Sequence, residues 1–290
     1  MTFKMYGITG KMKNVDIMTG FICPVCKKPL MKVNKSEKCE NNHLYDVSKT
    51  GYINLLMSQK TKDKNHGDDK LMVKARRDFL DKGYYTILLN KISETVIQYC
   101  NENSVILDAG CGECFYTSNI YDTLCTAGIK TTMLAIDISK NALSLAKNRN
   151  PDINRSVASI FDIPVADSSC DIILNIFAPF CSAEFLRLLK VGSILIQVIP
   201  LENHLWSLKK IVYDDPYKNV VDEYRINGFE FVKSEDIKGS IELESNQDIK
   251  NLFTMTPYYY KTSQNDFNKL NNINYLKTEI EFAVLVYKKI

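Results

Sequence analysis

The chain has 290 residues, 45% of them hydrophobic and 24% charged, the balance of a globular protein with room for one large domain and a small one. No apolar run approaches the ~20 residues a bilayer crossing needs, and the first residues carry no continuous hydrophobic core, so a membrane protein is excluded and a cytoplasmic one expected. Nine cysteines, an odd number without a disulfide-framework pattern, argue for a reducing compartment.

Residues 1–18 read as a flexible extension. The next stretch, "CPVCKKPLMKVNKSEKCENNH", places Cys23, Cys26, Cys39 and His43 in the pattern C-x2-C-x12-C-x3-H. A CxxC turn brings two thiolates together from one knuckle, and a second knuckle supplies the opposing pair of a tetrahedral zinc site. A chance or redox CxxC is the alternative, but it leaves the second pair unexplained. Four protein ligands leave no open coordination position, so the zinc is expected to be structural, one ion per chain. Lys27, Lys28, Lys32, Lys35 and Lys38 cannot be buried in a core, so metal binding is expected to supply folding energy here. Past His43, a turn at Thr50-Gly51 between apolar runs predicts a hairpin closing a zinc ribbon over residues 19–60.

The net charge of +3 is uneven: twelve lysines, no arginine and five acids in residues 1–64 give +7, which leaves −4 for the rest. A basic module on an acidic body suits a phosphate-backbone contact, and a lysine-rich solvated surface would carry the same charge.

Residues 61–103 read as a polar connector, "SQKTKDKNHGDD", running into one or two leading helices with apolar residues three and four apart. From residue 104 to 290 strand and helix signals alternate: SVILDAG, TTMLAIDIS, SVASI, CDIILNIF and SILIQVIP are short apolar runs separated by helical periods. The expected fold is α/β, a doubly wound, Rossmann-like parallel sheet with helices on both faces. The strand-like runs FEFVKSEDIKGSIEL and TEIEFAVLVYKK then suit sheet-edge strands with an antiparallel partner.

The first of these strands ends in "LDAGCGECFYT", where Gly110 and Gly112 permit a tight turn and close approach of a ligand. A GxG turn alone says little. Here, however, position 115 is Phe rather than Gly, and Asp108 precedes the turn. A carboxylate there repels pyrophosphate and favours the cationic end of S-adenosylmethionine. Asp137 ends the second strand, placed to accept two ribose hydroxyls or, alternatively, to charge a helix N-terminus that Ser139 caps better. Ile138 is expected to pack on adenine, and Ser159 with Ile160 to meet its amino group; Asp162 stands three residues too late.

These residues carry a family resemblance. The CPVC…C…H site, "DVSKTGYINLL", "GDDKLMVKARRDFLDKGYY", "LDAGCGECFYT", "AIDIS", "FAPF", "IPLENHL" and "MTPYYY" resemble the 23S rRNA guanine-N1 methyltransferases of the RlmA or RrmA type over nearly the whole chain beyond residue 18. The resemblance implies a class I methyltransferase fold and methyl transfer from S-adenosylmethionine to ring nitrogen 1 of a guanosine in large-subunit ribosomal RNA. By position it implicates Tyr85, Gly112, Glu113 and His204 in cofactor binding, and it implies a homodimer whose zinc modules border an RNA cleft. Cys114 departs from the family's third small residue, and the extension before Cys23 is longer than usual. A methyltransferase for small molecules, and an RNA-binding protein that retains the cofactor without transfer, are the rival readings.

Four residues after the fourth strand are candidates for holding a flipped-out guanine: Asn175, Phe177, Pro179 and Phe180. Ordinary strand-end packing explains Phe177 equally well. For His204 a base, a cofactor contact and a satisfied surface histidine all stand, with the resemblance favouring the second. Arg76 and Arg77 face either phosphate or solvent. No residue declares itself as the general base.

Overall fold

A computed structural model describes residues 18–57 and 67–290. The extension expected over residues 1–18, Met18 apart, and most of the expected connector, 58–66, lie outside the described residues.

Four short antiparallel strands open the chain in the order of the sequence: β1 (Met18–Ile22), β2 (Pro29–Val33), β3 (Ser36–Lys38) and β4 (Leu44–Asp46). An eight-stranded sheet follows, built from β5 (Tyr52–Asn54), β6 (Val105–Ala109), β7 (Thr132–Asp137), β8 (Asn154–Val157), β9 (Cys170–Ile176), β10 (Leu189–Pro200), β11 (Phe229–Leu243) and β12 (Leu276–Lys289). Its order is β11-β12-β10-β9-β6-β7-β8-β5. β12 runs antiparallel to both neighbours, and the remaining pairings are parallel. From β6 the chain steps outward to β7 and β8, then returns to β9 on the other side. That reversal opens a crevice at the carboxyl ends of β6 and β9, where α/β sheets bind ligands.

The hairpin expected around Thr50-Gly51 does not close the ribbon. A local turn is present, with the Ser48 N–H donating to Tyr52 O at 2.8 Å, but β5 leaves β4 and pairs in parallel with β8. Burial decides this: Ile53 and Leu55 are buried under the edge of the large sheet, and β5 covers the ladder edge that β8 would otherwise expose.

The helices are α1 (Lys70–Leu80), α2 (Thr86–Tyr99), α3 (Phe115–Thr126), α4 (Lys140–Leu145), α5 (Ser182–Leu188), α6 (Trp206–Val212), α7 (Asn246–Thr254) and α8 (Gln264–Asn268). The leading segment is two helices: Asp69 caps α1 by accepting from the Met72 N–H at 2.8 Å, and Gly83, at φ +81°, separates α1 from α2.

Alternation along the strands divides the core in two. Ile106, Met133, Ile172, Leu174 and Ile196 pack with Leu88, Ile92, Ile120, Leu124 and Leu252 of the helices. Their neighbours Leu107, Leu134, Ile173, Leu195 and Leu285 face the opposite side, where α5 supplies Phe185 and Leu188, the ribbon supplies Phe21 and Leu30, and the β5 segment supplies Ile53 and Leu55. The helices expected on that second face are largely replaced by the ribbon. A sheet face needs apolar cover from whatever segment offers it, and the ribbon does so at close range. A Cβ on Gly20 would lie 2.8 Å from Leu134 Cδ2, and the Ile22 N–H donates to Pro164 O at 2.9 Å.

Candidate functional site

The metal ligands converge from two knuckles. In the first, the Lys27 N–H returns to Cys23 O at 2.8 Å with Lys27 at φ +59°; in the second, the Asn42 N–H returns to Cys39 O at 3.0 Å with Asn42 at φ +65°. The ligand atoms of Cys23, Cys26, Cys39 and His43 all lie within 4.8 Å of one another. His43 Nδ1 stands 3.4 Å from Cys23 Sγ and 3.3 Å from Cys39 Sγ, and Cys26 Sγ stands 3.6 Å from Cys39 Sγ. Bonds of ~2.3 Å to sulfur and ~2.0 Å to nitrogen give tetrahedral edges of about 3.5–3.8 Å, so this donor set fits zinc. Burial opposes ionisation of Cys23. The Tyr45 hydroxyl, 3.1 Å away, and the backbone at Val25 and Cys26 outweigh it and bring the thiol down to about 6. Cys23 is thereby biased toward the thiolate that a metal requires, while burial pushes the Cys39 thiol up.

At the crevice the surface deepens into a cavity of ≈ 730 Å³, within the ~300–1,000 Å³ of small-molecule sites. The glycine turn forms part of its wall. Gly110 sits at φ +95°, and a Cβ there would lie 2.4 Å from Ala178 Cβ. Gly110→Ala is accordingly expected to cost about 2–5 kcal/mol through backbone strain and overpacking together, read as a lowered thermal midpoint.

Asp108 lies beneath this turn and is 1% exposed. Its Oδ2 accepts from Thr117 Oγ1 at 2.6 Å, while Oδ1 is buried with no partner among the described residues. Burial first, with the nearby Asp137 charge adding to it, raises this carboxyl to about 7 against the Thr117 bond. An orphaned buried carboxylate oxygen on a residue that lines the cavity fits a cationic ligand. Asp137 accepts from the Gly112 N–H at 2.8 Å and the Ser139 N–H at 2.7 Å, one on each oxygen. Each oxygen keeps a further acceptor site, which suits two neighbouring hydroxyls. Ser139 caps α4 by accepting from the Ala142 N–H, so Asp137 is not the cap.

Ile138, Ser159 and Ile160 line the same cavity; Asp162 does not, and pairs with Lys27 of the ribbon at 3.8 Å. Glu113 lies at the cavity wall, but its carboxylate is held by Arg149 at 2.8 and 2.9 Å. Tyr85 and His204 face each other, with Oη and Nε2 3.4 Å apart. His204 Nδ1 accepts the Glu281 N–H at 3.2 Å, which puts the proton on Nε2 and directs it to Tyr85. Burial, with Lys209 nearby, pulls this imidazole down to about 3. It is neutral, with both nitrogens engaged, and is no surface histidine.

Asn175, Phe177 and Pro179 line the cavity. Asn175 Nδ2 donates to Pro179 O at 3.0 Å, tying the loop back to β9. Phe177 adopts φ +53° and is 45% exposed, its ring 5.5 Å from that of Phe282. Phe180 does not reach the cavity: it packs edge-on against Phe185 at 5.2 Å, within the ribbon-side core. Its apolar ring is taken up by the sheet face rather than left at the mouth.

Sequence reasoning missed several lining residues, among them Met72, Tyr116, Met255 and Tyr258. Arg76 also lines the cavity, whereas Arg77 turns away to Leu145 O at 2.8 Å. Met255 and Tyr258 lie in the "MTPYYY" motif that carries the resemblance, but nothing local places them at the cavity; Met255 meets α1 through Arg76, 179 residues away.

Residues 21–64 match the amino-terminal zinc-ribbon model described as RlmA, N-terminal, and residues 100–254 match a methyltransferase domain. The fold, the cavity and these matches define a class I S-adenosylmethionine-dependent methyltransferase carrying a zinc ribbon. The chain is 32% identical over 211 residues to YxjB of Bacillus subtilis (strain 168), provisionally named a 23S rRNA (guanine-N(1)-)-methyltransferase, covering 70% of this chain and 72% of that one. It is 31% identical over 189 residues to the 23S rRNA (guanine(748)-N(1))-methyltransferase of Streptomyces fradiae, covering 64% of this chain and 65% of that relative's length. The chain belongs to the family of 23S rRNA (guanine-N1) methyltransferases. Among solved structures, the YcgJ protein of Bacillus subtilis superposes with a TM-score of 0.48 at 15% identity, over 69% of this chain and 97% of that one. No helix among the described residues is long and apolar enough to cross a membrane.

Proposed function

We propose that the protein transfers a methyl group from S-adenosylmethionine to ring nitrogen 1 of a guanosine in 23S ribosomal RNA. The observation that carries this reading is the packing of a Cys3His ribbon, with Lys27, Lys28, Lys32 and Lys35 exposed, onto the same sheet whose carboxyl ends form the cavity. Exposed lysines on a module packed against the sheet that carries the cavity suit contacts with phosphates.

When bound, the cofactor supplies a methyl group made electrophilic by its sulfonium charge. Asp108 would offer its unpaired oxygen to the ammonium, Asp137 would accept the ribose hydroxyls, Ile138 would pack on the adenine, and Ser159 with the backbone of Ile160 would meet its amino group. The Gly110–Gly112 turn lets the backbone come close. Asn175, Phe177 and Pro179 border the acceptor base, with the half-exposed Phe177 ring available for stacking. His204 orients Tyr85 and is not a base. Transfer forms one N1–C bond and breaks one C–S bond, and the guanine N1 proton passes to solvent. Alignment supplies much of the acceleration. The same reading places the protein in the cytoplasm and pairs it with a second copy whose ribbon borders the RNA.

Incubation of purified protein with methyl-labelled S-adenosylmethionine and 23S rRNA lacking the modification is expected to label the RNA and create one new reverse-transcription stop, because N1 lies on the pairing edge. A folded, cofactor-binding preparation that leaves the RNA unlabelled would falsify this assignment.

A further inference from the structure

The groups described so far meet the ammonium, ribose and adenine of the cofactor but leave its carboxylate without a partner. Among the described residues lining the cavity, Arg76 is the one permanent cation. α1 carries it one turn after Met72, which lines the same wall. The guanidinium is held from two sides: Nη1 lies 2.6 Å from Asp68 Oδ2, and Nη2 donates to Met255 O at 3.3 Å. Nη1 also stands 3.7 Å from the position a Cβ on Gly112 would occupy, so it abuts the glycine turn.

Tyr116, in the first turn of α3, lines the cavity with it. Its Oη is buried and has no hydrogen-bond partner among the described residues. A buried hydroxyl left unpaired is costly, and such a group calls for a partner that completes it. Burial raises this phenol and the Arg76 charge works against the rise, so the two groups share one electrostatic neighbourhood. Arginine has five N–H donors in a planar fork. Engagement with Asp68 and Met255 leaves further donors of that fork uncommitted, and carboxylates are the partners such donors favour.

We propose that Arg76 and Tyr116 together form the receptor for the carboxylate of bound S-adenosylmethionine, with Asp68 and Met255 holding the guanidinium in place. The inference rests on the cofactor reading above and adds the group that recognises its amino-acid end. A ligand that lacks only the carboxylate loses both interactions.

The test is calorimetric binding to the full-length, zinc-loaded protein, with S-adenosylmethionine and decarboxylated S-adenosylmethionine as probes. The wild type is expected to prefer the carboxylated ligand by about 30-fold, in line with a charge-assisted contact. Arg76→Met is expected to weaken S-adenosylmethionine by on the order of 30-fold while leaving the decarboxylated ligand unchanged, so that the preference collapses. Tyr116→Phe, which removes only the hydroxyl, is expected to reduce the preference about 5-fold and stays readable if Arg76→Met fails to fold. Wild-type preference retained in both variants, or in Tyr116→Phe if only that variant folds, overturns the proposal, as does a wild type that binds both ligands equally. A wild type that binds neither brings down the cofactor reading as well, which separates the two failures.

Discussion

Stripping the metal, by chelation or by Cys39→Ser, is expected to unfold the methyltransferase body together with the ribbon. Zinc binding to small ribbon-like peptides contributes ~10–16 kcal/mol, comparable to or larger than the ~5–15 kcal/mol that stabilises a whole domain. In a protein whose ribbon hung from a linker, that loss would stay local. Here Phe21, Leu30 and the ligands Cys23 and Cys39 belong to the same buried cluster as Leu107, Leu134 and Ile173 of the central strands. Loss of the ion frees the knuckles and uncovers one face of β6, β7 and β9. Far-UV circular dichroism and thermal melts should therefore show a single transition that collapses with zinc content. A Cys39→Ser protein with the wild-type midpoint and undiminished cofactor binding would rule this out.

Asp108→Asn should move stability and binding in opposite directions. The carboxyl stands at about 7 in the fold against 3.8 when unperturbed, so the folded chain holds its proton more tightly than the unfolded one. Stability consequently falls as pH rises from ~4 to ~7, and the ionised, half-paired carboxylate weighs on the fold above that window. Asn keeps an acceptor for Thr117 and removes the charge. We expect the variant to be more stable than wild type by about 1–4 kcal/mol at pH 8, with the gain vanishing near pH 4. Cofactor affinity should drop by roughly 100-fold at pH 8, where the variant lacks the anion that faces the ammonium. Wild-type affinity should itself decline below pH 7, about tenfold per unit, as the carboxyl retains its proton. Denaturant titrations and calorimetry at the two pH values measure all three. A variant no more stable than wild type at pH 8, or one that binds as tightly, would refute this account of the acid.

The parts of the site that were legible share a property: each is a short-range pattern whose chemistry is fixed by spacing. The C-x2-C and C-x3-H pairs announce two knuckles, and Asp108 before Gly110 and Gly112 announces a strand end and a tight turn, which the fold sets on the cavity wall. Asp137 at the end of the next strand follows from the same two-strand logic. Phe180 was misjudged because local sequence cannot say to which side of a loop a ring turns; the ribbon-side core claimed it through Phe185. Arg76 was left between phosphate and solvent because its partners, Asp68 and Met255, lie 8 and 179 residues away along the chain.

What the sequence determined by itself was therefore the ion's four ligands, the run of strands and helices, and the identity of the two acids at the cavity. Local hydrogen bonding, turn conformation and hydrophobic period are written into neighbouring residues, so these survive without coordinates. Only the tertiary structure decided that the ribbon covers a sheet face, that β5 leaves β4 to pair with β8, and that α1 brings a guanidinium against the glycine turn. Those outcomes depend on which apolar surfaces find each other across long stretches of chain, and burial is a property of the whole assembly of segments rather than of any one of them.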